Sequence, residues 1–304
     1  MKNHLVDVPG IKVGHAGNKQ AKTGCTVVLT GKGATAGVEV RGAAPGTRET
    51  DLLNPTKTVE KIHAILLAGG SAFGLEAAGG VMQALEEKDI GFDTGAAQVP
   101  IVPGAVLFDL DIGRSDIRPG SQMGYQAAKS ANKKETALGK VGAGLGCTVG
   151  SLMGAENSSP GGIGSASFKI NEDIFLGALV AVNAFGDVLN EQNKIIAGCQ
   201  DENGNFINTT QTIQQKVPAA LGKNTTLAVI ATNASLNKAQ AKKLAQVSHN
   251  GYAKYIDPVH TMFDGDTIFA ISTGNKSINF NILLTKAPQV IGKAIIKGVL
   301  AAKH

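Results

Sequence analysis

The chain has 304 residues, 43% of them hydrophobic and 17% charged, enough apolar content to bury a substantial core and to exclude a disordered chain. Its formal net charge of +5 comes from lysines set among neutral residues, with no basic run interleaved with aromatics, so nucleic-acid binding is not expected. The opening MKNHLVDVPG lacks the apolar centre of a signal peptide, and no unbroken apolar run approaches the ~20 residues of a membrane span, which points to a soluble cytoplasmic protein without a membrane partner.

In chain order, short apolar runs bounded by Gly, Asp or Asn predict buried strands over 25–29, 64–69, 99–108, 175–185, 226–232 and 267–273. Helices are predicted over 74–87, 124–131, 236–246 and 287–302, the last two from apolar residues at three-to-four spacing. Strands and helices alternate only in places, so a mixed, layered α/β fold fits better than a regular βαβ repeat. No internal repeat of solenoid length is present. The 39 glycines are dispersed, which implies tight turns and close backbone contacts within one large domain or two modest ones.

Several familiar motifs are absent. Cys25, Cys147 and Cys199 are far apart and odd in number, so they read as buried thiols rather than as a metal site or disulfide framework. In AGGSAFGLEAAGG (68–80), Phe73 stands where a nucleophile elbow needs glycine, and no GxxxxGK occurs anywhere. Gly69 and Gly70 therefore read as a tight strand-to-helix turn. Gly142, Gly144 and Gly146 approach a dinucleotide fingerprint, but Cys147 occupies the neighbourhood of its last glycine. The six histidines form neither HxxxH nor HExxH. No cofactor and no metal are expected. A Ser-His-Asp triad leaves no local trace by which to test it.

What remains is Asn224-Thr225-Thr226, directly before the apolar run TLAVIAT and after Gly222 and Lys223. A cut between Asn224 and Thr225 would give one residue both a hydroxyl nucleophile and an α-amine of pKa ~7.7–8, matched to take the hydroxyl proton near neutral pH. The hydroxyl of Thr225 could make that cut by attacking the Asn224 carbonyl, giving an ester that water opens. Asn208-Thr209-Thr210 repeats the tripeptide but leads into the polar stretch 211–215, which reads as an exposed turn and helix start. On residues alone, a surface turn feeding a strand is the favoured reading of Asn224-Thr225-Thr226. Asp264 and Asp266, in FDGDT, suit orienting a hydroxyl or ammonium group, or an ordinary Asp-Gly turn; a calcium loop would need further ligands. Asn183 ends an apolar run, where its amide can donate to an oxyanion or bond its own loop.

At these residues the sequence resembles the DmpA-type aminopeptidase family, which includes the β-aminopeptidases and nylon-oligomer hydrolases. The likeness runs through VPGIKVGH, RGAAPGTRETDLL, LLAGGSAFGLEAAGGVM, GAGLGCTVG, ALVAVNAFGDV, NTTLAVIATN and HTMFDGDTIFAIST. It implies a single domain over 1–304 with a layered αββα N-terminal-nucleophile-like fold, processed into residues 1–224 and 225–304. It also implies homo-oligomers of the processed units. Onto this chain the family's nucleophile falls on Thr225, its amide donor on Asn183 and its paired polar residues on Asp264 and Asp266. Two substrate-binding positions depart from the relatives: Phe108 stands for a tyrosine, removing a phenolic donor, and Ser151 for a lysine, removing a positive charge. The expected activity is hydrolysis of short peptides or peptide-like amides. The alternatives are a non-catalytic small-molecule-binding protein of the same fold, motivated by Phe108 and Ser151, and acyl transfer through the same nucleophile.

Overall fold

The computed structural model describes residues 1–214 and 224–303; Gln215, Gly222 and Lys223 lie outside them. Among the described residues nine strands join in one sheet: β1 (Lys12–Asn18), β2 (Thr23–Val40), β3 (Gly46–Arg48), β4 (Ile62–Ala68), β5 (Gly104–Val106), β6 (Gly162–Lys169), β7 (Phe175–Val182), β8 (Leu227–Ala234) and β9 (Thr267–Lys276). Their order is β6-β7-β8-β9-β2-β4-β5-β3, with β1 also paired to β2. Neighbours run antiparallel except β8 with β9 and β4 with β5.

Residue alternation turns this ribbon into two stacked layers, because successive strand side chains face opposite ways. Along β8, Ala228 and Ile230 pack with the helices α3 (Lys238–Tyr255) and α4 (Phe280–Ala301), while Leu227, Val229 and Ala231 face the other half of the sheet. Along β4, Ile65 and Leu67 meet that same inner core, and Ala64, Leu66 and Ala68 face α1 (Ala77–Glu86) and α2 (Ser121–Ser130). The result is the αββα layering expected. Strand β2 belongs to both layers: 25–29 pair with β4 and 35–40 with β9. The register shifts between Leu29 and Ala34, where Gly31 (φ +67°) and Gly33 (φ +114°) adopt backbone that other residues rarely tolerate.

The differences from the predicted elements have local causes. The run 99–108 breaks up because Pro100 and Pro103 cannot donate to a ladder, leaving only β5 in the large sheet. Strand β6 was hidden by its glycines and serines. Helix α3 starts on a capping box, Asn237 accepting from the Gln240 amide at 2.8 Å, and continues nine residues past the predicted end. The polar stretch that resembles a loop is absorbed: Ser248 Oγ donates to the Leu244 carbonyl at 2.7 Å and His249 is buried. Helix α4 begins seven residues earlier than predicted and carries Pro288 within it. All three cysteines are buried thiols. Among the described residues no helix is long and apolar enough to cross a membrane.

Candidate active site

Topology brings three chain segments to one point. Strand β7 runs antiparallel to β8, so its C-terminal end, followed by Asn183, lies beside the start of β8; β9 runs parallel to β8, so its own start, preceded by Asp264-Gly265-Asp266, lies on the other side. Asn224, Thr225 and Thr226 sit between them, buried to 4% exposure or less. The Thr225 amide donates to the Asn183 carbonyl at 2.7 Å, and the Thr226 amide to Asp266 Oδ1 at 2.8 Å. The Asn224 carbonyl oxygen accepts from the Gly265 amide at 3.0 Å and from Thr225 Oγ1. Ser151 Oγ donates to Asn224 Oδ1 at 3.0 Å.

Asn183 is held at every end. Its Oδ1 accepts from the Thr148 amide at 2.9 Å, and Nδ2 gives one of its two hydrogens to the Phe108 carbonyl at 3.1 Å. Phe108 therefore contributes its backbone to the site, which the sequence does not suggest. The next residue, Asp109, is buried and accepts from Thr23 Oγ1 at 2.8 Å and the Gly70 amide at 2.7 Å, fixing the strand-to-helix turn at Gly70. Burial pushes its carboxyl up to about 6 against those two bonds.

The paired aspartates flank the junction, and neither is bonded to Thr225 Oγ1. Asp264 accepts from Thr261 Oγ1 at 2.6 Å, the Thr261 amide at 3.2 Å and the Phe185 amide at 3.3 Å. Burial, and secondarily the charge of Asp266, push its carboxyl up to about 7. Asp266 Oδ2 meets His260 Nδ1 at 2.8 Å and the His260 amide at 3.3 Å. Behind them Tyr252 donates its hydroxyl to the Thr226 carbonyl at 3.2 Å, and burial, then the nearby Asp266, raise that hydroxyl well above its usual range. His249 lies edge-on to His260 with centroids 4.8 Å apart, its imidazole lowered to about 3, chiefly by burial.

Sequence reasoning named Phe108, Ser151, Asn183, Asn224, Thr225, Asp264 and Asp266, and the fold gathers all seven, Phe108 through its carbonyl. It missed His260, Thr261, Tyr252 and the Gly265 amide. His260 and Thr261 stand within HTMFDGDT and could have been found in that motif; Tyr252 reaches the site from the last turn of α3, and nothing local signals it. The earlier copy of the tripeptide is also buried at Thr209, contrary to the exposed turn expected. Its amide and hydroxyl donate to Asp187 at 2.7 and 2.8 Å.

The model of Peptidase family S58 matches residues 3–304. The chain belongs to this family. An uncharacterized aminopeptidase of Mycobacterium leprae is 40% identical to this S58 chain, over 90% of it and 79% of the relative. A 6-aminohexanoate-oligomer endohydrolase of Kocuria sp. (strain KY2) is 29% identical over 96% of the chain and 84% of the relative. Among solved structures, the Burkholderia sp. beta-aminopeptidase superposes with a TM-score of 0.73 at 21% identity, covering 99% of the S58 chain and 87% of that structure. The L-aminopeptidase D-Ala-esterase/amidase of Ochrobactrum anthropi, a variant of the Ntn hydrolase fold, gives 0.71 at 18% identity over 99% and 86%. The DmpA-type resemblance and the fold read from it hold, and the family with its aminopeptidase members supports a peptide-bond hydrolase.

Proposed function

We propose that the chain is a self-processing amidohydrolase that cuts itself between Asn224 and Thr225 and then uses Thr225 to open amide bonds in short peptides or peptide-like oligomers. The observation that carries this reading is the bonding at the Asn224 carbonyl: the Thr225 hydroxyl and the Gly265 amide converge on its oxygen. Attack by Thr225 Oγ1 on the carbonyl carbon puts negative charge on an oxygen that already has a fixed backbone donor, the arrangement that stabilises acyl-transfer intermediates. The hydroxyl proton passes to the Thr225 nitrogen as the peptide bond breaks, and water opens the resulting ester. The freed α-amine keeps the Asn183 carbonyl as acceptor and becomes the base for its own hydroxyl.

In turnover the second Nδ2 hydrogen of Asn183 is the side-chain donor for a substrate oxyanion, and Asp264 and Asp266 hold the segment around the nucleophile. The substrate class is taken from the relatives, which carry the names aminopeptidase and 6-aminohexanoate-oligomer endohydrolase. Intact-mass measurement tests the reading: purified protein is expected as residues 1–224 and 225–304, and Thr225→Ala as one uncut chain without amidase activity. One continuous polypeptide with full activity, or an active Thr225→Ala, overturns it.

A further inference from the structure

A cleft of about 720 Å³, whose lining includes Lys19, Lys22, Lys140, Asp111, Thr148 and Glu156, reaches the site through Thr148, whose amide bonds Asn183. Its connection to the site is a single peptide group. The Cys147 carbonyl accepts from Lys140 Nζ at 2.6 Å, and the Thr148 amide at the other end of the same peptide donates to Asn183 Oδ1 at 2.9 Å. The ammonium therefore lies within about 8 Å of Asn183 Oδ1, a span of up to about two residues of extended chain.

The cleft carries Lys19, Lys22 and Lys140 beside the carboxylates of Asp111 and Glu156. Among the described residues, none of Lys19, Lys22 and Lys140 is ion-paired with a carboxylate. Lys140 is part-buried, and burial together with the charge of Lys22 lowers its pKa. Lys22 holds a left-handed backbone at φ +52° in the turn between β1 and β2, an unfavourable conformation for lysine that the Asn18 side chain supports by accepting from the Ala21 amide at 2.9 Å. Lys22 and Lys140 line the same cleft with no carboxylate within ion-pair distance of either among the described residues, an arrangement open to an anion between them, and Lys140 keeps two N–H donors beyond the one on Cys147.

We infer that Lys140, assisted by Lys22, binds the free carboxylate of the substrate, so that this site takes short, unblocked peptides or amino-acid oligomers ending one to two residues beyond the reacting bond. This rests on the proposed function and assigns its specificity. The Lys140 contact to Cys147 also offers a purely structural role, holding the peptide that positions Asn183. Comparing free acid with amide separates the two, because a positioning role affects both substrates alike.

The test uses trialanine as the free acid and as its C-terminal amide, with kcat and KM measured for each. Wild-type protein is expected to favour the acid in kcat/KM by about tenfold or more, the worth of a charge-assisted hydrogen bond, expressed in KM. Lys140→Met is expected to bring the acid-to-amide ratio close to one, and Lys140→Arg to retain most of the preference. The exposed Lys22→Met, which keeps the fold available should Lys140→Met fail to fold, is expected to reduce the ratio severalfold. A wild-type ratio near one, no turnover of the acid, or an unchanged ratio in Lys140→Met or Lys22→Met overturns the inference. Activity of Thr225→Ala on either substrate overturns instead the reading on which it rests.

Discussion

Thr209 and Thr225 occupy copies of one tripeptide, and their partners separate them. Thr209 gives its hydroxyl to a carboxylate, whereas Thr225 turns its hydroxyl on the carbonyl of the residue before it. Sequence could rank the copies only by the residues downstream of each, the apolar run after Thr225 being the sign of a buried strand that would fix a nucleophile. Polar residues written in a compact motif, such as Asp264 and Asp266, are legible because their spacing survives in one dimension. Tyr252 and His249 are not, because a helix supplies them across the layer and no period marks them. Ser151, read as a lost lysine, gains a positive function in the fold by holding the Asn224 side chain. Removing that bond costs about 0.5–1.5 kcal/mol. Ser151→Ala should therefore slow formation of the 225–304 fragment by about two- to tenfold. Timed denaturing gels after expression measure this, and cleavage at the wild-type rate would sink the assignment.

At the scale of elements, the buried runs that became β4, β7, β8 and β9 were readable because strands covered on both faces must be apolar throughout. β6 and the second half of β2 escaped because glycine and serine suppress that signal at the points where backbones come closest. In β6, a Cβ on Gly164 would lie 1.9 Å from the Ala294 carbonyl oxygen and 2.5 Å from the Gly298 nitrogen of α4. The helix rests directly on the strand backbone there. Overpacking of this kind costs about 1–3 kcal/mol or more. Gly164→Ala is expected to lower Tm by about 2–10 °C, measured by thermal denaturation, and a wild-type Tm would mean that α4 shifts freely on the sheet.

Over the whole molecule, buried titratable groups pull stability in opposite directions with pH. Asp109 and Asp264, raised to about 6 and about 7, keep protons that the unfolded chain releases, so their contribution is full below the ordinary value of 3.8 and is lost as pH rises through those values. His4 and His15, each lowered to about 4 chiefly by burial, and His249, lowered to about 3, refuse protons that the unfolded chain takes up below 6.5, so their contribution is lost as pH falls through that range. Asp264→Asn removes one opposing slope. Between pH 4.5 and 6.5 its unfolding free energy should rise with pH more steeply than the wild type's, by up to ~1.4 kcal/mol per pH unit, in denaturant titrations. Parallel slopes would show that Asp264 does not hold its proton in the folded state. The residues after position 224 supply β8, α3, β9 and α4, and the sheet threads β8 and β9 between β7 and β2. A break before Thr225 would thus leave two polypeptides woven into one sheet, still joined by ladder bonds and core. Folding would change character: a single chain assembles by itself, whereas two denatured pieces must first meet, making recovery second-order in concentration and giving the cut molecule a history that cooling alone does not erase.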